Sequence, residues 1–467
     1  MLKQIGKKRI ILVAILAIQI IFFYCYLYGD LLITTMHGMT FWDSLFSSGG
    51  LRDYYNMNVN NHLVAGAYNG NYSARYDFLI YIIFGIWDFP LWVCKHFFGI
   101  KNPLNYLLGN LWAKSIVLLF YIMVVLVMRK IMVKCNKRNI MEMIVVMTTS
   151  IFVSANLNII GQYDIITVFF MLLGMYYLIN GNKLLFVVAF SVAVPTKILA
   201  LLAFVPIVLL IEKKILKVIG YLILSCIPMA FFRVLVPMVQ GESNIDNFFN
   251  FLFFDTVPFA SHKISLFFAG YIVLLLFCYL KKPSDNVVKF AKEIIYISLC
   301  SYFIFFAFAF TFPYWMVYMV PALYLLIAMN NQQYYVNMIL ETFMAFFTIV
   351  GQTICFYWVY ADTTLANGLL GRIPQIRNTN NKSIVDLLQG FVGSDDWSVV
   401  RDYVLQVSWS VYFVMMVFFL VINCPWKEKK TFAQGLDCKS NRIVLYIIRG
   451  IFLLIIYFIP FLGLLCK

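Results

Sequence analysis

Charged residues are scarce in this sequence. Asp, Glu, Lys and Arg make up 12% of the 467 residues, and 63% are hydrophobic, whereas an ordinary soluble domain has about 25% charged residues. Apolar runs long enough to cross a bilayer recur along the whole chain. The polar stretches 30–77, 237–262, 359–404 and 424–442 are too short for a soluble catalytic domain. The sequence therefore predicts an all-α, polytopic helical membrane protein.

Metal-binding and redox motifs are also missing. The ten cysteines form no CxxC pair, and His37, His62, His96 and His262 share no ligand-like spacing. We therefore predict no metal and no other cofactor. The cysteines are interpreted as small apolar side chains inside the spans.

The basic residues predict the topology, because Lys and Arg concentrate in short cytoplasmic loops. They cluster before residue 10 and at 129–138, 213–217, 281–292 and 427–442. The first apolar run has no small-residue cleavage site, so we expect a retained span rather than a signal peptide. About thirteen crossings result, with the N-terminus cytoplasmic and the C-terminus outside. These spans are 10–28, 113–128, 140–156, 163–179, 184–196, 198–212, 218–236, 263–280, 288–310, 315–329, 336–358, 405–423 and 444–465.

This topology changes the meaning of the net charge of +15. The positive charge mostly marks the cytoplasmic face, with some attraction to anionic lipid headgroups, and predicts no nucleic-acid partner. Most of the acidic residues fall on the outer side. We therefore expect one membrane domain with its site at the outer face.

Two segments need separate interpretation. Residues 78–98 are apolar but contain Asp88 and Pro90, and a crossing there would place the 129–138 cluster outside. We predict a re-entrant or interfacial helix. Residues 184–212 would form a single helix of about 43 Å, too long for a hydrocarbon core of about 30 Å. We predict a helical hairpin with Lys197 at its outer turn.

The first outer loop carries the first group of candidate site residues. Asp30 lies where the first span ends, and a carboxylate at the bilayer centre would cost roughly 2.5–3.5 kcal/mol. His37, Trp42 and Asp43 follow, and an acid beside aromatic rings suits a sugar or a polar lipid head. The alternative is that these acids are ordinary solvated residues beside a span.

A second group of candidates lies further along the chain. Gln162 and Asp164 lie at a span end, although Asp164 could simply cap the next helix. Lys197 lies between apolar runs and is a candidate for phosphate binding. The alternative is that its side chain merely extends to the membrane–water interface. Arg233 could assist it, and His262 and Lys263 begin the span 263–280.

Together these residues resemble the GT-C glycosyltransferases, in particular the mannosyl- and glucosyltransferase branch. The resemblance rests on Asp30 after the first span, Gly49–Gly50 followed by Tyr54–Tyr55, and the segment YDFLIY. It continues with Arg129–Lys130 at a span end, Gly161-Gln162-Tyr163-Asp164, the Lys197 hairpin and the aromatic segment PYWMVYMVPALYLL. It covers residues 1–215, a GT-C-like module with the outer loop 30–112, and extends more weakly to residues 310–326. The helices of 216–467, with the outer loop 359–404, would form the variable part.

The resemblance implies a transfer that inverts the anomeric centre. The donor would be a polyprenyl-phosphate sugar, and the acceptor a hydroxyl of a glycan, lipid or protein at the outer face. Asp30 or Asp43 would be the catalytic base, and a cation would stabilise the leaving phosphate. The loop 359–404 would lie over the site and help to select the acceptor through Arg372, Arg377, Asp395, Asp396 or Trp397.

Two other functions stay open. A polysaccharide polymerase or ligase would use arginines against a lipid diphosphate, and Arg372, Arg377 and Arg401 fit that function. A transporter of lipid-linked substrates would show internal repeats and midplane charges, and we find no repeat between the halves. The residue bias toward Lys, Ile, Asn and Phe suggests a bacterial plasma membrane.

Overall fold

A computed structural model of the chain describes residues 2–59, 61–65, 68–136, 140–238, 252–259, 262–309, 312–377, 379–426 and 439–466. This part of the chain is mainly helical. Its helices are α1 (Leu2–Cys25), α2 (Gly29–Leu45), α3 (Tyr54–Met57), α4 (Phe78–Trp87), α5 (Phe89–Phe97), α6 (Leu107–Lys134), α7 (Ile140–Thr148), α8 (Ile151–Val153), α9 (Ile165–Ile179), α10 (Lys183–Thr196), α11 (Leu201–Ile211), α12 (Ile215–Leu235), α13 (Leu266–Leu280), α14 (Val287–Phe308), α15 (Val320–Met329), α16 (Tyr334–Cys355), α17 (Thr363–Ala366), α18 (Pro374–Arg377), α19 (Ile384–Val392), α20 (Ser394–Asn423) and α21 (Lys439–Leu462).

Two antiparallel hairpins complete the described secondary structure. Strand β1 (Asn61–Ala65) pairs with β2 (Tyr68–Tyr72), and β3 (Thr256–Phe259) pairs with β4 (His262–Ser265). A π-helix covers Ser154–Ile159, and a 3-10 helix covers Pro313–Tyr318. The segments 30–77 and 359–404 are therefore mostly folded into short helices and a hairpin rather than open loops.

The chain is an integral, multi-pass membrane protein. Six helices of the described chain are long and apolar enough to span a bilayer, and three bent helix pairs raise the number to nine. Five shorter apolar helices lie between them. Each of the thirteen expected spans overlaps an apolar helix, but a count of thirteen crossings stays a prediction.

The first span ends in a sharp bend. Residues Val13–Cys25 and Gly29–Leu45 are inclined by 76° to each other. Lys114 on α6 holds this bend, because its ammonium donates to the carbonyl oxygens of Phe23 and Tyr26. Helix α2 therefore does not continue the direction of α1, which agrees with the prediction that the first crossing ends before Asp30.

The segment 78–98 is broken as expected. Helices α4 and α5 meet at Asp88 with a bend of 65°. They have ten and nine residues, so each is only about 15 Å long, half the thickness of a hydrocarbon core. The bend fits either a broken span or a re-entrant segment, so the re-entrant or interfacial helix stays a prediction.

The hairpin predicted at 184–212 is also confirmed. Lys183 at the start of α10 donates to the carbonyl oxygen of Ile211 at the end of α11, at 3.3 Å. Its ammonium also lies 3.9 Å from a carboxylate oxygen of Glu212. Between the two ends, Phe204 packs on Phe186 and Phe190. The two helices are therefore antiparallel, and Lys197 lies at the turn between them.

Helices α2 and α4 pack closely at two glycines. A Cβ atom at Gly38 would lie 2.7 Å from the Cβ of Phe84, and one at Gly85 would lie 2.6 Å from the Phe41 ring. We expect Gly38→Ala to lower the free energy of unfolding by about 1–3 kcal/mol through overpacking. Gly450→Ala is the control, because nothing lies within 4 Å of the position that its added methyl group would take. Thermal unfolding in detergent measures both; equal stability of the two variants would contradict the close packing.

Candidate functional site

The site is built on an irregular segment before α9. Ser150 caps α8 by accepting a hydrogen bond from the amide of Val153 at 3.3 Å. The π-helix follows, a form that is frequent at functional sites. Gly161 then has a φ of 77°, a conformation that favours glycine. This turn carries Gln162 and Asp164 to the beginning of α9.

Asp164 does not cap the helix that it precedes. It occupies the N-cap position of α9, yet its side chain accepts no capping hydrogen bond. Instead, one carboxylate oxygen accepts from the Gln162 amide at 2.9 Å, and the other lies 3.4 Å from the Lys197 ammonium. The side chain of Asp164 is only 1% exposed. The capping alternative is therefore wrong, and the carboxylate points toward the α10–α11 turn.

Lys197 is held between aromatic rings. Its ammonium lies 4.4 Å from the centre of the Tyr76 ring and 5.3 Å from that of Trp315. The neighbouring Thr196 shares a 2.9 Å hydrogen bond with Thr167 of α9, which fixes the turn against that helix. The Lys197 side chain is 11% exposed, so it does not reach freely into the interface. An ammonium has three donors, and the long contact to Asp164 leaves donors for another anion.

Asp30 joins the same group from α2. Its carboxylate interacts electrostatically with Lys197 and Asp164, and the Tyr163 hydroxyl lies beside it. Burial is the main cause that raises the pKa of Asp30 to about 6; Asp164 raises it further and Lys197 lowers it. We call Asp30, Gln162, Asp164 and Lys197 the acid–lysine cluster. Three segments that are far apart in the sequence supply it.

Asp43 lies away from this cluster. It is thirteen positions after Asp30 on the same helix, which places it about 20 Å away. Its carboxylate accepts hydrogen bonds from Trp92 at 2.7 Å and Lys95 at 2.9 Å, and His96 lies at 3.2 Å. The two acids proposed as alternatives for one base therefore occupy opposite ends of α2.

Trp42 and His37 are occupied by contacts within the fold. The Trp42 indole donates to the carbonyl oxygen of Gly85 at 2.7 Å. A ring nitrogen of His37 lies 3.1 Å from the carbonyl oxygen of Tyr72, which attaches β2 to α2. Both residues hold the α2 region together, and neither has a described contact with the acid–lysine cluster.

Arg233 lies beside the site, whereas no described contact joins His262 or Lys263 to the acid–lysine cluster. The Arg233 guanidinium forms two hydrogen bonds to Asp77, at 2.6 and 3.1 Å, next to Tyr76. His262 and Lys263 lie on exposed strand β4, and the following helix begins only at Leu266. The expected span 263–280 therefore begins three residues later than predicted, because these residues pair with β3.

The loop 359–404 packs beside the bend that precedes Asp30. Thr364 accepts a hydrogen bond at its carbonyl from the Leu27 amide at 2.8 Å, and Asn367 accepts one from Asn110 at 3.2 Å. Trp397, however, lies in a small apolar cluster with Ile354 and Val385. Of the other residues suggested for acceptor selection, Arg372, Arg377 and Asp396 are exposed, and the side chain of Asp395 lies outside the described ones.

Lys114 is a buried cation that the sequence pattern did not single out. Besides holding the bend after α1, it donates to the carbonyl oxygen of Asn158 at 2.6 Å. Its side chain is 1% exposed. Lys114 therefore joins the bend before Asp30 to the segment before Asp164. Its position inside a long apolar helix was the available signal, since a charge within a span is rare.

A second buried network positions the same segment from the C-terminal helix. On α21, the Arg449 guanidinium pairs with Glu341, and the Tyr324 hydroxyl forms hydrogen bonds with both Glu341 and Ser150. Two helical turns further, the Tyr457 hydroxyl donates to Gln19 at 2.6 Å. The same hydroxyl accepts from Asn158 at 2.6 Å. Helix α21 therefore helps to fix the beginning and the middle of the irregular segment.

Comparison of the chain with family models, with curated proteins and with solved structures gave no match.

Proposed function

We propose that the protein transfers a sugar from a polyprenyl-phosphate donor to an acceptor hydroxyl at the outer face of the membrane. The observation that carries this proposal is the meeting of Asp30, Asp164 and Lys197 in one mostly buried cluster. A base and a phosphate-binding cation are the two groups that such a transfer needs. Rings of Tyr76 and Trp315 line the cluster, as suits a sugar.

The proposed reaction assigns a role to each group. The Asp30 carboxylate accepts the proton of the acceptor hydroxyl as its oxygen attacks the anomeric carbon. The bond between that carbon and the phosphate oxygen breaks, and the configuration inverts. Lys197 stabilises the negative charge that develops on the leaving lipid phosphate. Asp164, which accepts a hydrogen bond from Gln162, holds the Lys197 ammonium, and both side chains hydrogen-bond to sugar hydroxyls.

Purified protein in detergent with a panel of polyprenyl-phosphate hexoses tests this function. We expect one donor to be consumed, with release of polyprenyl phosphate and formation of a glycosylated acceptor. A lack of turnover and of binding for every monophosphate donor would contradict the proposal. Turnover of lipid-diphosphate glycans instead would favour the polymerase or ligase.

A transporter of lipid-linked substrates is the second candidate. The observation that favours it is the ion pair between Arg449 and Glu341, both almost fully buried within apolar helices, since intramembrane charges often mark transport paths. In proteoliposomes, a transporter would move the lipid-linked sugar between leaflets without changing it chemically. The sugar transferase would release lipid phosphate, so one assay separates the two functions.

The pH dependence of transfer tests the electrostatics of Asp30. A base must be deprotonated, so we expect turnover to rise with pH through about 6, the pKa of Asp30. Asp164→Asn removes a negative neighbour, which lowers the pKa of Asp30 and moves this limb to lower pH. Lys197→Met removes a positive neighbour, which moves the limb to higher pH. The measurement is kcat/KM against pH, and shifts in the same direction for both variants would contradict the assigned cluster.

A further inference from the structure

A groove lies at the other end of the α6–α9 pair. It has a volume of about 550 Å³ and an apolar floor that includes Val127, Phe169 and Leu173. Tyr176 lies at its edge, twelve positions after Asp164 along the chain and so about 18 Å along α9. The groove is therefore distinct from the acid–lysine cluster.

Three cations border this apolar groove. Arg129, Lys130 and Lys134 are exposed at the end of α6. Among the described residues, none of the three forms an ion pair with an acid. The Lys130 ammonium lies 5.8 Å from the centre of the Tyr176 ring. Lys130 and Lys134 are four residues apart, so they lie on the same side of the helix.

Topology alone explains only part of this arrangement. Cations at a cytoplasmic helix end follow the positive-inside rule, which does not require an apolar groove beneath them. The volume lies within the range of about 300–1,000 Å³ that is usual for ligand pockets. A free phosphate would leave the apolar floor unused, and a neutral lipid would leave the cations unpaired. Charge and shape together fit one molecule with an anionic head and a hydrocarbon chain.

We propose that this groove binds an anionic phospholipid of the cytoplasmic leaflet. Its phosphate lies between Arg129, Lys130 and Lys134, where a guanidinium can bind two phosphate oxygens at once. One acyl chain lies over Val127 and Leu173. The proposal is independent of the sugar-transfer function, because no residue of the acid–lysine cluster takes part.

Native mass spectrometry of the full-length, delipidated protein tests this site. Phosphatidylglycerol and phosphatidylcholine with identical chains are added at equal concentration. We expect one phosphatidylglycerol to be retained with at least a tenfold preference, which the variant Lys130→Gln/Lys134→Gln loses. The matched control is Lys214→Gln/Lys282→Gln, two exposed lysines elsewhere, which keeps the preference. Equal retention of both lipids by the unmodified protein would overturn the proposal.

A second variant tests the groove without changing its charges. Val133→Trp places a large ring in the groove, whose wall Val133 forms at 56% exposure. We expect this variant to lose the retained phosphatidylglycerol while its unfolding temperature stays unchanged. Full retention would show that the cations alone bind the phosphate head and that the groove does not hold the acyl chain. That result would overturn the proposal. Competition by deacylated glycerophosphoglycerol as strong as that of the intact lipid would do the same.

Discussion

Replacing Asp30 with Asn is expected to lower the rate of sugar transfer by about 10²- to 10⁴-fold, the usual contribution of a positioned general base. Asparagine has nearly the same shape but cannot accept the proton of the acceptor hydroxyl. Donor binding should survive, because Lys197 remains in place between Tyr76 and Trp315. The measurement is single-turnover release of polyprenyl phosphate, together with the Kd of the donor.

Asp43→Asn is the matched control for this experiment. It makes the same chemical change on the same helix, about 20 Å away. Its ion pair with Lys95 is partly exposed, with 37% of Lys95 and 19% of Asp43 accessible, so its loss should cost about 1 kcal/mol or less. We expect turnover to stay within a few-fold of the unmodified protein. If Asp43→Asn abolished turnover and Asp30→Asn did not, Asp30 would not be the base.

Replacing Arg449 with Met is expected to give the largest loss of stability, about 3–5 kcal/mol, the usual cost of breaking a buried ion pair. The guanidinium and the Glu341 carboxylate are 2% and 0% exposed. Without Arg449, Glu341 would be a buried charge with only hydroxyl partners. Arg449 also donates to the carbonyl oxygens of Val146 and Thr149, at 2.9 and 3.1 Å, and these would lose a donor.

Two further variants separate the ion pair from other effects of the substitution. Arg401→Met removes an arginine from an exposed ion pair, in which 45% of the Arg401 side chain and 57% of the Asp402 side chain are accessible. This variant should change stability by less than about 1 kcal/mol. Arg449→Met/Glu341→Met removes both buried charges and should recover most of the lost stability. Thermal unfolding in detergent measures all three variants. A double variant as unstable as Arg449→Met would show that the loss does not come from the unpaired Glu341.

Replacing Arg449 should also disturb the position of the acid–lysine cluster. Glu341 and Tyr324 hold Ser150, which begins the irregular segment that ends at Asp164. The C-terminal helix therefore belongs to the support of the site, although it lies in the part expected to be variable. No motif marks this role, because the contacting residues Arg449 and Glu341 are 108 positions apart in the chain.

Several features followed from the sequence alone. The scarcity of charge determined a helical membrane protein, and the lysines at both ends of 184–212 determined the hairpin. Asp88 and Pro90 indicated the break within 78–98. These inferences succeeded because each depends on a local quantity: the length of an apolar run, the charge beside it, or a residue that interrupts a helix.

Only the tertiary structure decided which charged groups meet. The sequence presents both Asp30 and Asp43 as candidates, and the fold brings only Asp30 to Lys197 and Asp164. It also buries Lys114, for which no nearby pattern shows carbonyl partners at Phe23, Tyr26 and Asn158. A buried charge depends on partners that three-dimensional packing places within hydrogen-bond distance, because desolvation is tolerated only where such partners exist. Separation along the chain carries no information about that distance.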